Sequence, residues 1–351
     1  MRDGFFGQPR LPQSDRGPRR LLAVALGLPT TADARRAMDR LAGRADVVEL
    51  RLDLMAEHDL PALLRAGRGA SLAVVVTNRP VREGGRFVGS EADRARPLVQ
   101  AVDLGAEYVD VEGDAPDLLA ALARRHEKGT RLIASSHDFA AMPPDLPERR
   151  RRLAESGADV AKVVGTARSL LDNLPVFQAL AQAASPTIAI AMGAAGLISR
   201  VLCLRYDSCL LTYAAPDDAS GTAPGQIPLS SLSAIYRAHE IGPTTIPYGV
   251  LSLSPIEEFT IARLNARARG EGRDAVWVPL VAETPGEAAP VARGLAAAGF
   301  AGYLVAPSAR AALALEGWPL GPGEYLGIRA ERLEAVAAGS AEEVARRVME
   351  A

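Results

Sequence analysis

Lysine is almost missing from this chain. Of 40 basic residues only two are lysines, Lys128 and Lys162; the rest are arginine. Cysteine is as scarce, and the two present, Cys203 and Cys209, have no metal-ligand spacing. They are expected as buried small hydrophobes within one helical stretch, in a reducing cytosol. No apolar run reaches the roughly 18 residues of a membrane span. A formal net charge of −2 over 351 residues gives no electrostatic case for nucleic acid or an anionic membrane. Met1 to Arg20 is polar, carries five arginines and lacks the apolar core of a signal peptide. A loose tail is expected there. What remains, at 48% hydrophobic and 23% charged, is a cytoplasmic globular protein with one large domain and something smaller.

From residue 21 apolar, β-branched runs alternate with helical patterns. The runs are Leu21–Gly27, Val47–Leu52, Leu72–Asn78, Tyr108–Glu112, Arg131–Ser136, Val160–Gly165, Thr187–Met192 and Leu210–Ala214. Helices are expected at Ala32–Ala45, Glu91–Gly105, Pro147–Gly157, Ser169–Ala184 and Leu229–His239, several with Thr, Ser, Asp or Pro at the start. Eight strands in βαβ alternation over about 220 residues fit a (β/α)8 barrel. The alternative, an open doubly wound sheet, would offer a Gly-rich phosphate turn after its first strand, and Gly27-Leu-Pro-Thr-Thr is not one. Ile241–Pro247 is linker-like. A second alternation follows: strand Tyr248–Leu251, helix Ile256–Ala268, strand Ala275–Val281, helix Glu287–Ala298 and strand Gly302–Val305. The expected division is a tail over 1–20, a barrel over 21–242 and a small α/β domain over 243–351.

The two lysines differ sharply. Lys128 lies in a polar stretch that suits a solvated helix end, whereas Lys162 lies inside the apolar run Val160–Gly165. Arginine neither loses its proton at working pH nor forms an imine; lysine does both. The bland reading is a structural lysine neutralised by a carboxylate, and the catalytic one expects the amine free of such a lock. Active sites of (β/α)8 barrels lie at the C-terminal strand ends. There the second run carries Glu49, Arg51 and Asp53 at alternate positions, all expected to face inward. The third ends in Asn78-Arg79 and leads to Glu83, the fifth ends in His137, the sixth carries Lys162, and the seventh ends at Met192 with Arg200 beyond it. A loop, Ser220 to Gln226, follows the eighth. His58, His126 and His239 have charged neighbours and are expected at the surface. Amine, imidazole and arginines together suit Schiff-base chemistry on an acidic carbonyl compound. A class I aldolase and an iminium-forming dehydratase both fit, and a silent ligand-binding scaffold is the non-enzyme alternative.

Seven blocks separate these. They are Glu49-Leu-Arg51-Leu-Asp53, Asn78-Arg79 through Glu83-Gly-Gly, Asp110-Val-Glu112, Ser136-His137-Asp-Phe, Ala161-Lys162-Val, Met192 with Gly196 to Arg200, and Thr222-Ala223-Pro-Gly-Gln226. In this order they resemble type I 3-dehydroquinate dehydratase across residues 21–240. The resemblance implies conversion of 3-dehydroquinate to 3-dehydroshikimate in the shikimate pathway, without metal or cofactor, by a cytoplasmic homodimer. It implies Lys162 as imine former, His137 as proton carrier and Glu83 as its orienting partner. Arg200 and Gln226 would hold the carboxylate, and Glu49, Arg51 and Arg79 the hydroxyls. Met192, Tyr213, Thr222 and Ala223 would line the site. Ile190, Tyr213 and Thr222 depart from the family's Met, Phe and Ser. More faintly, the C-terminal part resembles the substrate-binding half of shikimate dehydrogenase, with Ser252 and Ser254 matching a substrate-contacting serine pair. No lysine follows Lys162 and only 44 residues follow Pro307 (351 − 307), so no dehydrogenase activity is expected. Gly321-Pro-Gly-Glu-Tyr-Leu-Gly327 is expected as a turn.

Overall fold

The computed structural model describes residues 20–125, 129–218, 221–315, 325–330 and 334–350. Met1–Arg19 of the expected tail, His126, Lys128, Ser220 and the residues at 321–324 lie outside the described residues.

Strands and helices alternate from the start: β1 (Leu21–Leu26), α1 (Thr31–Leu41), β2 (Val47–Arg51), α2 (Leu60–Gly69), β3 (Ala73–Thr77), α3 (Glu91–Asp103), β4 (Tyr108–Glu112) and α4 (Pro116–Ala123). The pattern continues with β5 (Arg131–Asp138), α5 (Leu146–Ala154), β6 (Val160–Thr166), α6 (Leu174–Ala181), β7 (Thr187–Met192), α7 (Leu197–Leu202), β8 (Leu211–Ala214) and α8 (Leu229–Ala234). All these strands pair in parallel, in the order β7-β6-β5-β4-β3-β2-β1-β8. A single bridge between Thr187 and Cys209 nearly closes the ring. The expected barrel is therefore present. The side chains of Thr30, Asp59 and Ser90 cap α1, α2 and α3 by accepting backbone N–H groups, satisfying donors a helix start leaves open.

A second unit follows: β9 (Ile246–Ser252), α9 (Glu258–Gly270), β10 (Ala275–Val281), α10 (Ala288–Ala297), β11 (Gly302–Val305), α11 (Pro307–Leu315), β12 (Tyr325–Arg329), β13 (Glu334–Gly339) and α12 (Ala341–Glu350). Its sheet order is β10-β9-β11-β12-β13, with β12 and β13 antiparallel. No helix among the described residues is long and apolar enough to cross a membrane.

Several expectations need correction. Tyr325–Gly327 belongs to β12, not to a turn. Helix Ser169–Ala184 is instead a 3-10 turn, Leu170–Asn173, followed by α6 with proline in its first turn. The Leu229–His239 helix stops at Ala234, and Arg237 takes a left-handed φ of 52° before another short turn. Cys203 sits just after α7 and Cys209 just before β8, so they share no helix, although both are buried. Arg20 is not loose: it is buried and its guanidinium donates to Asp207 at 2.7 Å.

Side chains alternate in and out along each strand. The inward set begins as an apolar plug of Leu21, Val47, Val75, Tyr108, Ile133, Val160, Ile188 and Leu211. Two residues further along several strands the same inward face turns polar: Glu49, Thr77, Asp110, Ser135 and Lys162, all buried. The plug thus forms the floor on which charged groups are held away from water.

Candidate active site

One cavity at the C-terminal ends of the strands is lined by Lys162, His137, Glu83, Glu49, Arg51, Arg79, Met192, Arg200, Tyr213, Thr222, Ala223 and Gln226. These are the twelve residues to which the resemblance gives roles in the barrel site; Asp53 is not among the lining. Ala25, Gly84, Phe139, Val164 and Ile190 complete the lining.

Lys162 is buried in the middle of β6. Its Nζ lies 2.8 Å from Asp110 Oδ2, 3.5 Å from Glu49 Oε1 and 3.3 Å from the Tyr213 hydroxyl. The expectation of an amine free of ion pairs is thus corrected. The contact does not by itself separate nucleophile from structural cation, for two reasons. Asp110 Oδ2 also meets the Arg79 guanidinium at 2.9 Å, so it is not left unpaired when the amine sheds its proton. A protonated imine carries the same charge as the ammonium it replaces, so the attraction survives bond formation. Burial pushes the Asp110 carboxyl up, but Arg79 and Lys162 outweigh it and hold the group far below the usual carboxylate range. Glu49 follows the same logic: burial raises it, Lys162 lowers it, and the net shift is down. It also accepts a hydrogen bond from Thr77 Oγ1 at 2.6 Å.

Arg79 is fully committed. Beyond Asp110 it reaches Glu112 at 2.6 Å and donates to Ser135 Oγ at 2.7 Å. Glu112 in turn meets buried Arg94 of α3 at 2.5 Å. Arg51 forms a two-pronged pair with Asp53 at 2.8 and 2.7 Å, the geometry that matches a planar fork to a carboxylate. Asp53 lies past the end of β2 in a 3-10 turn, so it does not continue the inward-facing row. Instead it accepts backbone N–H groups of Arg79 and Arg86, which ties the β3 loop down. The roles of Asp110 and Arg94 as partners were missed in the sequence; alternate acids at Asp110 and Glu112 were the available signal.

His137 Nδ1 lies 3.0 Å from Glu83 Oε2. Burial pushes the imidazole well below its ordinary range, and Arg79 and Lys162 add to the effect. A neutral ring at pH 7 can accept a proton. Burial also pushes Glu83 up to about 8, with Glu112, Asp114 and Asp110 adding and Arg79 opposing. Folded Glu83 therefore keeps its proton to about 8, whereas the unfolded chain releases it near 4.5. The folded state binds more protons across that window, so its stability falls as pH rises from 4.5 to 8. Glu83→Gln is expected to remove this slope, raising the melting temperature more at pH 9 than at pH 5. Equal shifts at both pH values would contradict the assignment.

Arg200 is the anomaly. It is 2% exposed, and burial lowers its pKa to about 10, so it remains cationic at pH 7. Its contacts are the carbonyls of Tyr213 at 3.5 Å and Pro224 at 3.1 Å, while its Nε has no partner. A buried guanidinium that faces a cavity and meets no carboxylate among the described residues is poised for an anionic ligand. Gln226 Oε1 accepts the N–H groups of Thr222 and Ala223 at 2.8 and 3.4 Å, folding the loop on itself. Gly225, at a φ of 73°, is pressed so close that a Cβ would lie 2.2 Å from Gly193 O; only glycine fits there. Ser252 and Ser254 lie in the second unit, at the end of β9, where Ser252 Oγ bonds Ser254 and Ser308; the structure does not bring them into this cavity.

The chain is similar to "3-dehydroquinate dehydratase" of Desulfotalea psychrophila, 38% identical over 227 residues, covering 63% of this chain and 98% of that protein. It is also similar to the chloroplastic "Bifunctional 3-dehydroquinate dehydratase/shikimate dehydrogenase" of Arabidopsis thaliana, 34% identical over 214 residues. That match covers 59% of this chain and only 35% of the relative's length. In fold it resembles the "Dehydroquinate dehydratase and shikimate dehydrogenase from S. pombe AroM", with a TM-score of 0.54 at 23% identity over 82% of this chain and 57% of that one. The family model of Type I 3-dehydroquinase matches residues 22–243, and the chain belongs to the type I 3-dehydroquinase family.

Proposed function

We propose that the barrel converts 3-dehydroquinate to 3-dehydroshikimate and water through an imine with Lys162. The observation that carries this is the meeting, in one cavity, of a buried amine, a neutral imidazole and a buried guanidinium that has no carboxylate partner among the described residues. The Lys162 amine adds to the ketone, and loss of water leaves a protonated imine. That cation draws electrons from the adjacent C–H. His137 takes the proton at Nε2, the nitrogen not facing Glu83. The resulting enamine expels the β-hydroxyl, which receives the same proton from His137 and leaves as water. Water then hydrolyses the conjugated imine and frees the amine. Arg200 holds the substrate carboxylate, and Glu49, Arg51 and the loop around Gln226 contact its hydroxylated face.

The reading includes the shikimate pathway as setting, a cytoplasmic homodimer as working form, and a division of the chain at Gly242. The second unit, in this reading, derives from a shikimate dehydrogenase substrate domain. Sedimentation at micromolar concentration tests the dimer.

Borohydride trapping tests the chemistry. With 3-dehydroquinate present, the reduced adduct is expected on the peptide holding Lys162 and on no other. A label elsewhere, or none, argues against the imine. An ultraviolet rise from the conjugated product distinguishes dehydration from the retro-aldol cleavage of an aldolase.

A further inference from the structure

Helix α7 is built inside out. Barrel helices normally bury an apolar stripe against the sheet and show polar residues outward. Here every residue from Ile198 to Leu202 is buried. Its polar members point inward: Ser199 Oγ accepts the Ala191 N–H of β7 at 2.9 Å, and Arg200 lines the cavity. The rest of the helix is apolar, with Ile198, Val201 and Leu202 in the buried cluster, a surface that water would disfavour by about 25 cal/mol per Å².

The second unit covers it. Strand β10 packs on α7, and α10 packs on the turn before α6. There Gly294 approaches so closely that a Cβ would lie 2.7 Å from Leu171 Cδ2 and 3.3 Å from Leu174 Cδ1. One apolar cluster runs without a break through Val201, Leu202 and Leu204 into Tyr248, Trp277 and Leu280. A polar tie reinforces it. Just after α7, Arg205 Nε donates to Thr245 O at 2.7 Å, and Thr245 Oγ1 donates to Asp274 at 2.7 Å, immediately ahead of β10. The linker-like segment is thereby pinned.

We propose that the second α/β unit is a brace for Arg200: by covering α7 and tying its C-terminal end, it sets where the guanidinium meets the substrate carboxylate. This rests on Arg200 being the carboxylate grip. The unit thus acts on substrate binding from outside the barrel, through a helix both parts share.

The test is a double-mutant cycle in the full chain, using Arg205→Ala, Gly294→Leu, Arg200→Met and the two doubles with Arg200→Met. Arg205→Ala and Gly294→Leu are each expected to raise KM for 3-dehydroquinate about tenfold while kcat changes by less than about twofold. Each double is expected to show no KM increase beyond Arg200→Met alone. If Gly294→Leu does not fold, Arg205→Ala carries the test. Additive effects, or equal losses in kcat and KM, overturn the brace. A raised KM in Arg200→Met with unchanged KM in the other single variants overturns the brace alone. An unchanged KM in Arg200→Met overturns the carboxylate assignment, and the brace with it.

Discussion

Lys162→Ala is expected to leave no turnover above background. Without the amine there is no imine, and most of the 10⁶-fold or greater acceleration typical of enzymes, as an order of magnitude, goes with it. The fold is expected to survive. Asp110 keeps Arg79 at 2.9 Å and the hydrogen bond from Ser135 Oγ at 2.6 Å, and Glu49 keeps Thr77. The stability loss therefore belongs near the lower end of the roughly 3–5 kcal/mol that stripping one partner from a buried pair costs. Lys162→Arg is the sharper control. It restores a cation opposite Asp110 and Glu49 but cannot form an imine at working pH. Stability recovered without turnover would assign Lys162 to chemistry. Turnover recovered by arginine would reduce it to a structural cation, which its ion pair with Asp110 makes a real alternative.

His137→Ala is expected to slow the enone-forming step by on the order of 10²–10⁴ while imine formation continues. On the proposed mechanism the two events separate because the residues do different work: Lys162 would bond the ketone carbon, and the imidazole would only move a proton. Borohydride should still label Lys162 in this variant, with the ultraviolet signal rising slowly. Burial, Arg79 and Lys162 keep the ring neutral, and Glu83 at 3.0 Å fixes which nitrogen faces the cavity. Phe139 assists: its ring lies 6.4 Å from that of His137 and seats on Gly84, where a Cβ would come within 2.1 Å of it. Normal enone formation in His137→Ala would remove the imidazole from proton transfer and leave some other group to be found.

Much of this was legible in one dimension. β-Branched runs marked all eight barrel strands, because a strand buried on both faces by a barrel interior and a helix layer must be apolar throughout. Polar residues interrupting such a run at alternate positions, as Glu49 and Arg51 do, mark an inward polar face, although the row ends before Asp53. The C-terminal strands were harder. β13 reads Glu-Ala-Val-Ala-Ala-Gly, a composition that favours helix, and it is a strand because β12 offers an edge to pair with.

By itself the sequence determined the alternation of elements, the inward phase of the second strand through Arg51 and the residues that would rim one end of the barrel, because each is a local periodicity of the backbone. Only the tertiary structure decided which charges meet. Lys162 and Asp110 are 52 residues apart, and they touch because barrel curvature sets groups from non-neighbouring strands across one interior. It also decided that Arg200 would meet no counter-ion among the described residues and that α7 would be covered from outside. Both depend on what is absent from, or added to, a helix's surroundings, and no local pattern carries that.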